Sequence, residues 1–194
     1  MKKTLLIALL LIPFLGISQT TKPIEGFLGI KFGSSRLEVL TALNAKGGII
    51  DKKESTPDML VYKNIKLGHR DAGAFIVKFI ENKAFEADFI FDPGLDAKTI
   101  DYYNDLVADL NSNYGKGDFK PIYKDPYSAT DNDGDKIVGM KNAEVTYETY
   151  WLSDNKNTIA ATINESLAVL LTYQDEALTG IALKKQKAKE KSDF

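Results

Sequence analysis

Apolar positions along residues 26–173 switch period in the same order twice. Leu37, Leu40, Ala42 and Leu43 recur at helical spacing behind Ser35, and Ser35 with Glu38 forms a capping box that satisfies free amides at a helix start. Gly47 then suits a left-handed stop. Period-two segments follow at 60–67, 74–80 and 84–92, the last two predicting a hairpin that turns at Glu81, Asn82 and Lys83. Phe75, Val77 and Phe79 share a side and face Phe85, Ala87, Phe89 and Phe91. Lys78, Glu86, Asp88 and Asp92 take the other side and belong in water. A sheet that is oily on one face needs a helix on that face.

The second stretch repeats this. Ile100, Tyr103, Val107, Leu110 and Tyr114 alternate at spacings of three and four, predicting a helix over 97–113 that Gly115 stops. Strands are expected at 145–152, 159–164 and 168–173, with a turn at 153–157. The predicted fold class is therefore α+β: two tandem helix-plus-antiparallel-sheet halves, about 26–92 and 97–173, with the helices packed on one face of the sheet. Residues 19–183 make one domain of this kind. The stretch 116–143, rich in Asp, Tyr and Pro, reads as a long irregular loop, and 184–194 as a charged flexible tail.

The start of the chain has a different grammar. Lys2 and Lys3 precede an almost unbroken apolar run to Leu15, and Gly16 and Ser18 place small residues at −3 and −1 of a cut before Gln19. The run is short for a bilayer span, so residues 1–18 read as a cleaved signal peptide and the protein as exported, periplasmic or secreted, with no stable membrane insertion after cleavage. Removing them takes two of the 25 basic residues and none of the 27 acidic ones, leaving a net charge of −4. A mildly acidic chain is a poor match for nucleic acid, whose binding rests on phosphate neutralisation. Zero cysteines exclude disulfides, thiolate metal ligation, thiol catalysis and attachment through an N-terminal lipidated cysteine.

Candidate chemistry is sparse. Asp125, Asp131, Asp133 and Asp135 form the densest carboxylate cluster, with Asn132 and Gly134 between the last three. Hard cations want six to eight oxygens, but an EF-hand frame with Gly134 at position six puts Ala129 and Met140 where an acid and a glutamate belong. Asp131, Asp133 and Asp135 are thus weak metal candidates; no metal and no cofactor are expected. His69, the one histidine, stands near Asp71 as an oriented base would, but no nucleophile context accompanies it, so no catalytic residue is assigned. Tyr147 and Trp151 share a side of one strand, and Tyr150 and Leu152 take the other, so one set lines an exposed face. Tyr147 and Trp151, with Tyr127, are the expected contact residues, because exposed aromatics anchor partners.

Phe32, Gly33, Ser34, Ser35, Arg36, Leu37, Glu38 and Val39, leading through a helix and a glycine into antiparallel sheet, resemble the opening of small envelope domains. These are the outer-membrane assembly lipoprotein BamE and the tandem-repeat beta-lactamase inhibitor proteins. The resemblance implies a non-catalytic domain that binds through the sheet face its helices leave bare. It carries over no individual residue, and the lipid-bearing cysteine of that family is missing here. Gly29, Ile30, Lys31, Phe32 and Gly33 are also similar to a segment of secreted bacterial proteins of uncharacterised role. The expected function is an exported, non-catalytic module that binds a protein or cell-envelope partner through an exposed sheet face. The enzyme alternative is a hydrolase, or a divalent-cation-dependent enzyme, using the 125–135 loop.

Overall fold

The computed structural model describes residues 22–192, so the expected leader lies outside the described residues, as do Asp193 and Phe194. A hairpin of β1 (Gly26–Phe27) and β2 (Ile30–Lys31) turns through Leu28 and Gly29, both at positive φ. Helix α1 (Arg36–Ala45) begins at the capping box: the Ser35 amide donates to Glu38 Oε2 at 2.7 Å, and the Glu38 amide donates to Ser35 Oγ at 3.4 Å. The bond from the Ser35 amide, then the one from its hydroxyl, holds the Glu38 carboxyl below its ordinary range. Gly47, at φ +80°, ends the turn after the helix.

Strands β3 (Ile49–Ile50) and β4 (Met59–Lys63) follow, then a side hairpin of β5 (Ile65–Leu67) and β6 (Arg70–Ala72). Next come β7 (Ala74–Ile80) and β8 (Lys83–Phe91), joined through Glu81 and Asn82 at φ 51° and 61°. Two left-handed residues give the turn whose twist matches a two-residue hairpin. A 3₁₀ turn at Asp96–Lys98 leads into α2 (Thr99–Tyr114). The chain continues through β9 (Asp118–Phe119), β10 (Ile122–Tyr123), α3 (Asp133–Lys141), β11 (Val145–Thr146), β12 (Glu148–Leu152), β13 (Thr158–Ile163), β14 (Val169–Gln174) and α4 (Glu176–Ser192).

Eight strands form one antiparallel sheet in the order β3-β4-β7-β8-β14-β13-β12-β9. Each half runs its four strands from an outer edge to the middle, where β8 and β14 pair from Val169 with Phe91 to Gln174 with Glu86. Strand order and direction are those of a two-fold axis normal to the sheet between β8 and β14. The fold is α+β in two tandem halves. Both edges, β3 and β9, are two residues long, which leaves little backbone open to unwanted pairing.

One continuous core lies on one side of the sheet. Val39 and Leu43 of α1, Ile100, Tyr103, Leu106 and Leu110 of α2, Phe27 and Ile30 of the first hairpin, and Ile65 and Ala72 of the second all pack with Phe75, Val77 and Phe89. A fully buried side chain of this size contributes about 1.5–3 kcal/mol. The Phe75 ring lies tilted 4.4 Å from Phe89, which stacks on Phe91 and meets Tyr173 edge-on, each at 6.0 Å.

Several expectations need correction. Leu37 is 72% exposed; the buried seam of α1 is Val39 and Leu43, one turn apart. Leu106 joins the α2 seam that the spacing of three and four passed over. Segment 60–67 is not one strand, because Asn64 at φ 59° turns the chain out of the sheet into β5. Phe85 does not face Phe79: a bulge at Lys78 and Phe79 pairs Phe79 with Ala84, and Phe85 is buried outside the core cluster. Residues 116–143 are not one irregular loop, since β9, β10 and α3 lie within them. Residues 184–192 continue α4, which runs from Glu176 to Ser192.

Candidate functional site

Helices α1 and α2 and the two side hairpins all contribute to the core side, so the other side of the sheet is left open. Its residues alternate with the core residues and are partly exposed strand after strand: Ile76, Lys78 and Ile80 on β7, Glu86, Asp88 and Ile90 on β8, and so on to β12. Register arranges the centre of this face in three rows. The first runs Ala74, Ile90, Leu170, Thr162, Glu148; the second Ile76, Asp88, Thr172, Ala160, Tyr150; the third Lys78, Glu86, Gln174, Thr158, Leu152.

The rows differ in chemistry. Ile90 and Leu170 are directly opposed in the first row, and Ile76 lies diagonal to Ile90 in the second, making an apolar stripe across the midline. Below it lies a fixed polar network. Lys78 binds Glu86 and, at 3.1 Å, Asp88; Thr172 Oγ1 donates to Asp88 Oδ1 at 2.7 Å, and Gln174 Nε2 to Glu86 Oε2 at 2.8 Å. Burial pulls the Lys78 ammonium toward losing its proton, but the hydrogen bond to Glu86 and the two carboxylate charges outweigh it and raise its pKa. At the β12 end, Tyr150 is pushed up to about 12 by burial and by its bond to Glu148, and Lys120 sits 5.7 Å from its ring centre. Leu152 is 72% exposed. With Glu86, Asp88 and Glu148 against Lys78, the rows carry an acidic balance.

Helix α4 borders this face rather than covering it. The Asp175 amide donates to the Phe85 carbonyl at 2.8 Å, and Lys185 reaches Glu81 at 2.8 Å beside the β7–β8 turn.

The expected contact residues lie elsewhere. Tyr147 and Trp151 are 7% and 3% exposed and belong to the core side, beneath α2. The Trp151 indole N–H is shared between Asn111 Oδ1 at 3.1 Å and the Gly115 carbonyl at 3.0 Å, which ties β12 to the end of α2. Tyr103 and Thr149 share a 2.6 Å hydrogen bond in the same layer. Tyr127 is partly buried, close against Gly139 of α3. The face assignment therefore reverses: Tyr150 and Leu152 are the outward pair.

The carboxylate cluster has a structural occupation. Asn132 caps α3, accepting from the Asp135 amide at 3.0 Å and donating to Asp135 Oδ2 at 2.6 Å. Asp131 accepts from the Ser128 amide at 2.7 Å and its hydroxyl at 2.8 Å, the amide bond being the larger cause of its lowered pKa. Asp133 lies 3.9 Å from Lys136, and Asp125 precedes a cis proline. Acids in the first turn suit the helix dipole. Among the described residues, no three His, Asp or Glu side chains gather to hold a metal ion. Asp71 pairs with Lys66 at 2.9 Å across the β5–β6 hairpin, and His69 is exposed at its turn. Among the described residues, no helix is long and apolar enough to cross a membrane.

Compared with protein-family models, curated proteins and solved structures, the chain matches none of them.

Proposed function

We propose that the protein is an exported, non-catalytic binding module that docks a protein of the cell envelope on its open sheet face. One observation carries this reading: the apolar stripe of Ile76, Ile90 and Leu170 is set beside charges already fixed by Lys78, Thr172 and Gln174. Groups ordered before contact lose little freedom on binding, and a stripe open across the midline supplies the desolvation gain. The acidic balance favours a partner that presents basic side chains around an apolar centre. The basic and apolar leader supports export, and the likeness of residues 32–39 to the opening of small envelope domains supports the same setting. The hydrolase alternative lacks comparable support, because the Asp131 carboxylate is held by Ser128 and that of Asp135 by Asn132.

Capture from envelope extracts tests the reading. Wild-type protein and Leu37→Ala, altered on the far side, should retain the same partner. Leu170→Glu and Tyr150→Ala should lose it while melting as folded proteins. Loss with Leu37→Ala, or retention by both face variants, would contradict the proposal.

A further inference from the structure

On the covered side of the sheet, the first hairpin, the β5–β6 hairpin and the end of α2 do not close against one another. Two cavities of about 490 and 300 Å³ lie between them and share Lys22, Leu67, Tyr114 and Tyr173 as a common waist. The larger has Phe27, Leu28 and Ile30 of the first hairpin in its wall; the smaller continues to Arg70 and Asp109. Both volumes fall in the range of small-molecule sites; the wall of the larger is mainly apolar, and that of the smaller mixes Arg70, Asp109 and Asn113 with Leu106 and Leu110.

The polar groups at the waist converge. Tyr173 is 4% exposed, and its hydroxyl interacts with that of Tyr114. The Lys22 ammonium lies 5.7 Å from the Tyr114 ring centre. Arg70 is neutralised by Asp109. Among the described residues, Lys22, Lys31 and Glu25 make no ion pair, so the charges left around the larger cavity are two ammonium groups against one carboxylate.

The wall itself is strained at one point. Leu28 stands at φ 50° in a two-residue turn, a position where a branched apolar side chain is uncommon and Asn or Gly is the usual choice. A leucine kept there at a conformational cost, in the wall of an apolar cavity, has a use in lining it.

We propose that this cleft binds a single-chain alkyl carboxylate, its chain against Phe27, Leu28, Ile30 and Leu67 and its head group on Lys22 and the two tyrosine hydroxyls. A carboxylate gains charge-assisted hydrogen bonds from the ammonium and the phenols, whereas a cationic head would meet Lys22 and Lys31. This site lies across the sheet from the proposed docking face, so either can fail without the other.

Isothermal titration of decanoate, decanol and decyltrimethylammonium into the naturally processed protein tests it. Decanoate should bind at one site, about tenfold tighter than decanol, with decyltrimethylammonium weakest; tenfold is the size of one charged hydrogen bond. Lys22→Ala should remove that advantage and leave decanol unchanged. Leu67→Trp, filling the waist, should abolish binding of both; Leu28→Glu, at the half-buried hairpin tip, should do the same if the tryptophan variant fails to fold. No decanoate binding at millimolar concentration, equal binding of all three probes, or full binding in a folded waist variant would overturn the proposal.

Discussion

Across the midline, Phe75, Phe79 and Phe89 of the first half occupy the side of the sheet that Tyr147, Thr149 and Trp151 occupy in the second. Strand order is shared, but the first half is held on that side mainly by phenylalanine rings, with one buried ring hydroxyl, that of Tyr62, donating to Asn44 Oδ1 at 3.2 Å. The second half adds directional bonds: Tyr103 with Thr149, Trp151 with Asn111 and Gly115, Tyr123 with Tyr147. The excursions differ as well. In the first half, β5–β6 leaves between the second and third strands and reaches the other half's helix through Arg70 and Asp109. In the second half, β10, α3 and β11 leave between the first and second strands and return through Lys141 to Asp96. The two halves thus share a topology while the core shifts from mainly shape to shape plus several hydrogen bonds.

The largest effect expected from this contrast is in the first half. Phe89→Ala, at a side chain with no exposure, should cost about 3–5 kcal/mol in a urea titration. A much smaller cost would mean that the phenylalanine stack is not what holds the midline.

Tyr103→Phe should cost about 1–3 kcal/mol, because it keeps the ring but leaves the buried Thr149 hydroxyl without its partner. The same residue gives the second half an alkaline signature. Burial, the larger cause, pushes the Tyr103 hydroxyl up to about 12 from an ordinary value of 10. Its unfolded form ionises first, so this contribution is whole below pH 10 and is lost as pH rises from 10 through 12. Burial also raises Tyr147 and Tyr173. Absorbance titration should show these tyrosinates appearing together with unfolding; a Tyr103→Phe variant should show a shallower alkaline fall in stability than the wild type.

Lys78→Met should have a smaller effect, about 0.5–1 kcal/mol, since a lysine side chain 41% exposed is screened by water. Its raised pKa makes this contribution present below the ordinary lysine range and lost as pH rises through the folded value. The variant should therefore differ from the wild type at pH 7 and converge with it in strong alkali. Leu37→Ala should change stability least, by less than about 0.5 kcal/mol, because that side chain is 72% exposed.

Local signals with their own chemistry were readable from the amino acids: the Ser35–Glu38 box, the Glu81–Asn82 turn, and the Phe75–Phe89 alternation all recur in the structure. Signals that depend on a distant partner were not. Period two sorts Tyr147 and Trp151 from Tyr150 and Leu152, but only the position of α2 says which pair is inside. Thr149 lies on the buried side because its hydroxyl is satisfied by Tyr103, a partner from another element. Asn132, Asp133, Gly134 and Asp135 look like a turn because the residues that cap a helix are also those that make turns. The open face was legible as Lys78, Glu86 and Asp88, yet its full grid needed the pairing of β8 with β14, a contact between residues more than 80 positions apart.

That grid is the centre of the account, and photo-crosslinking in the native organism tests it directly. A photoreactive phenylalanine in place of Tyr150 or Leu170 should yield a crosslinked partner of one size, and the same residue in place of Leu37 should yield none. Crosslinks of equal strength from position 37, or none from 150 and 170 in a protein that is folded and exported, would contradict it.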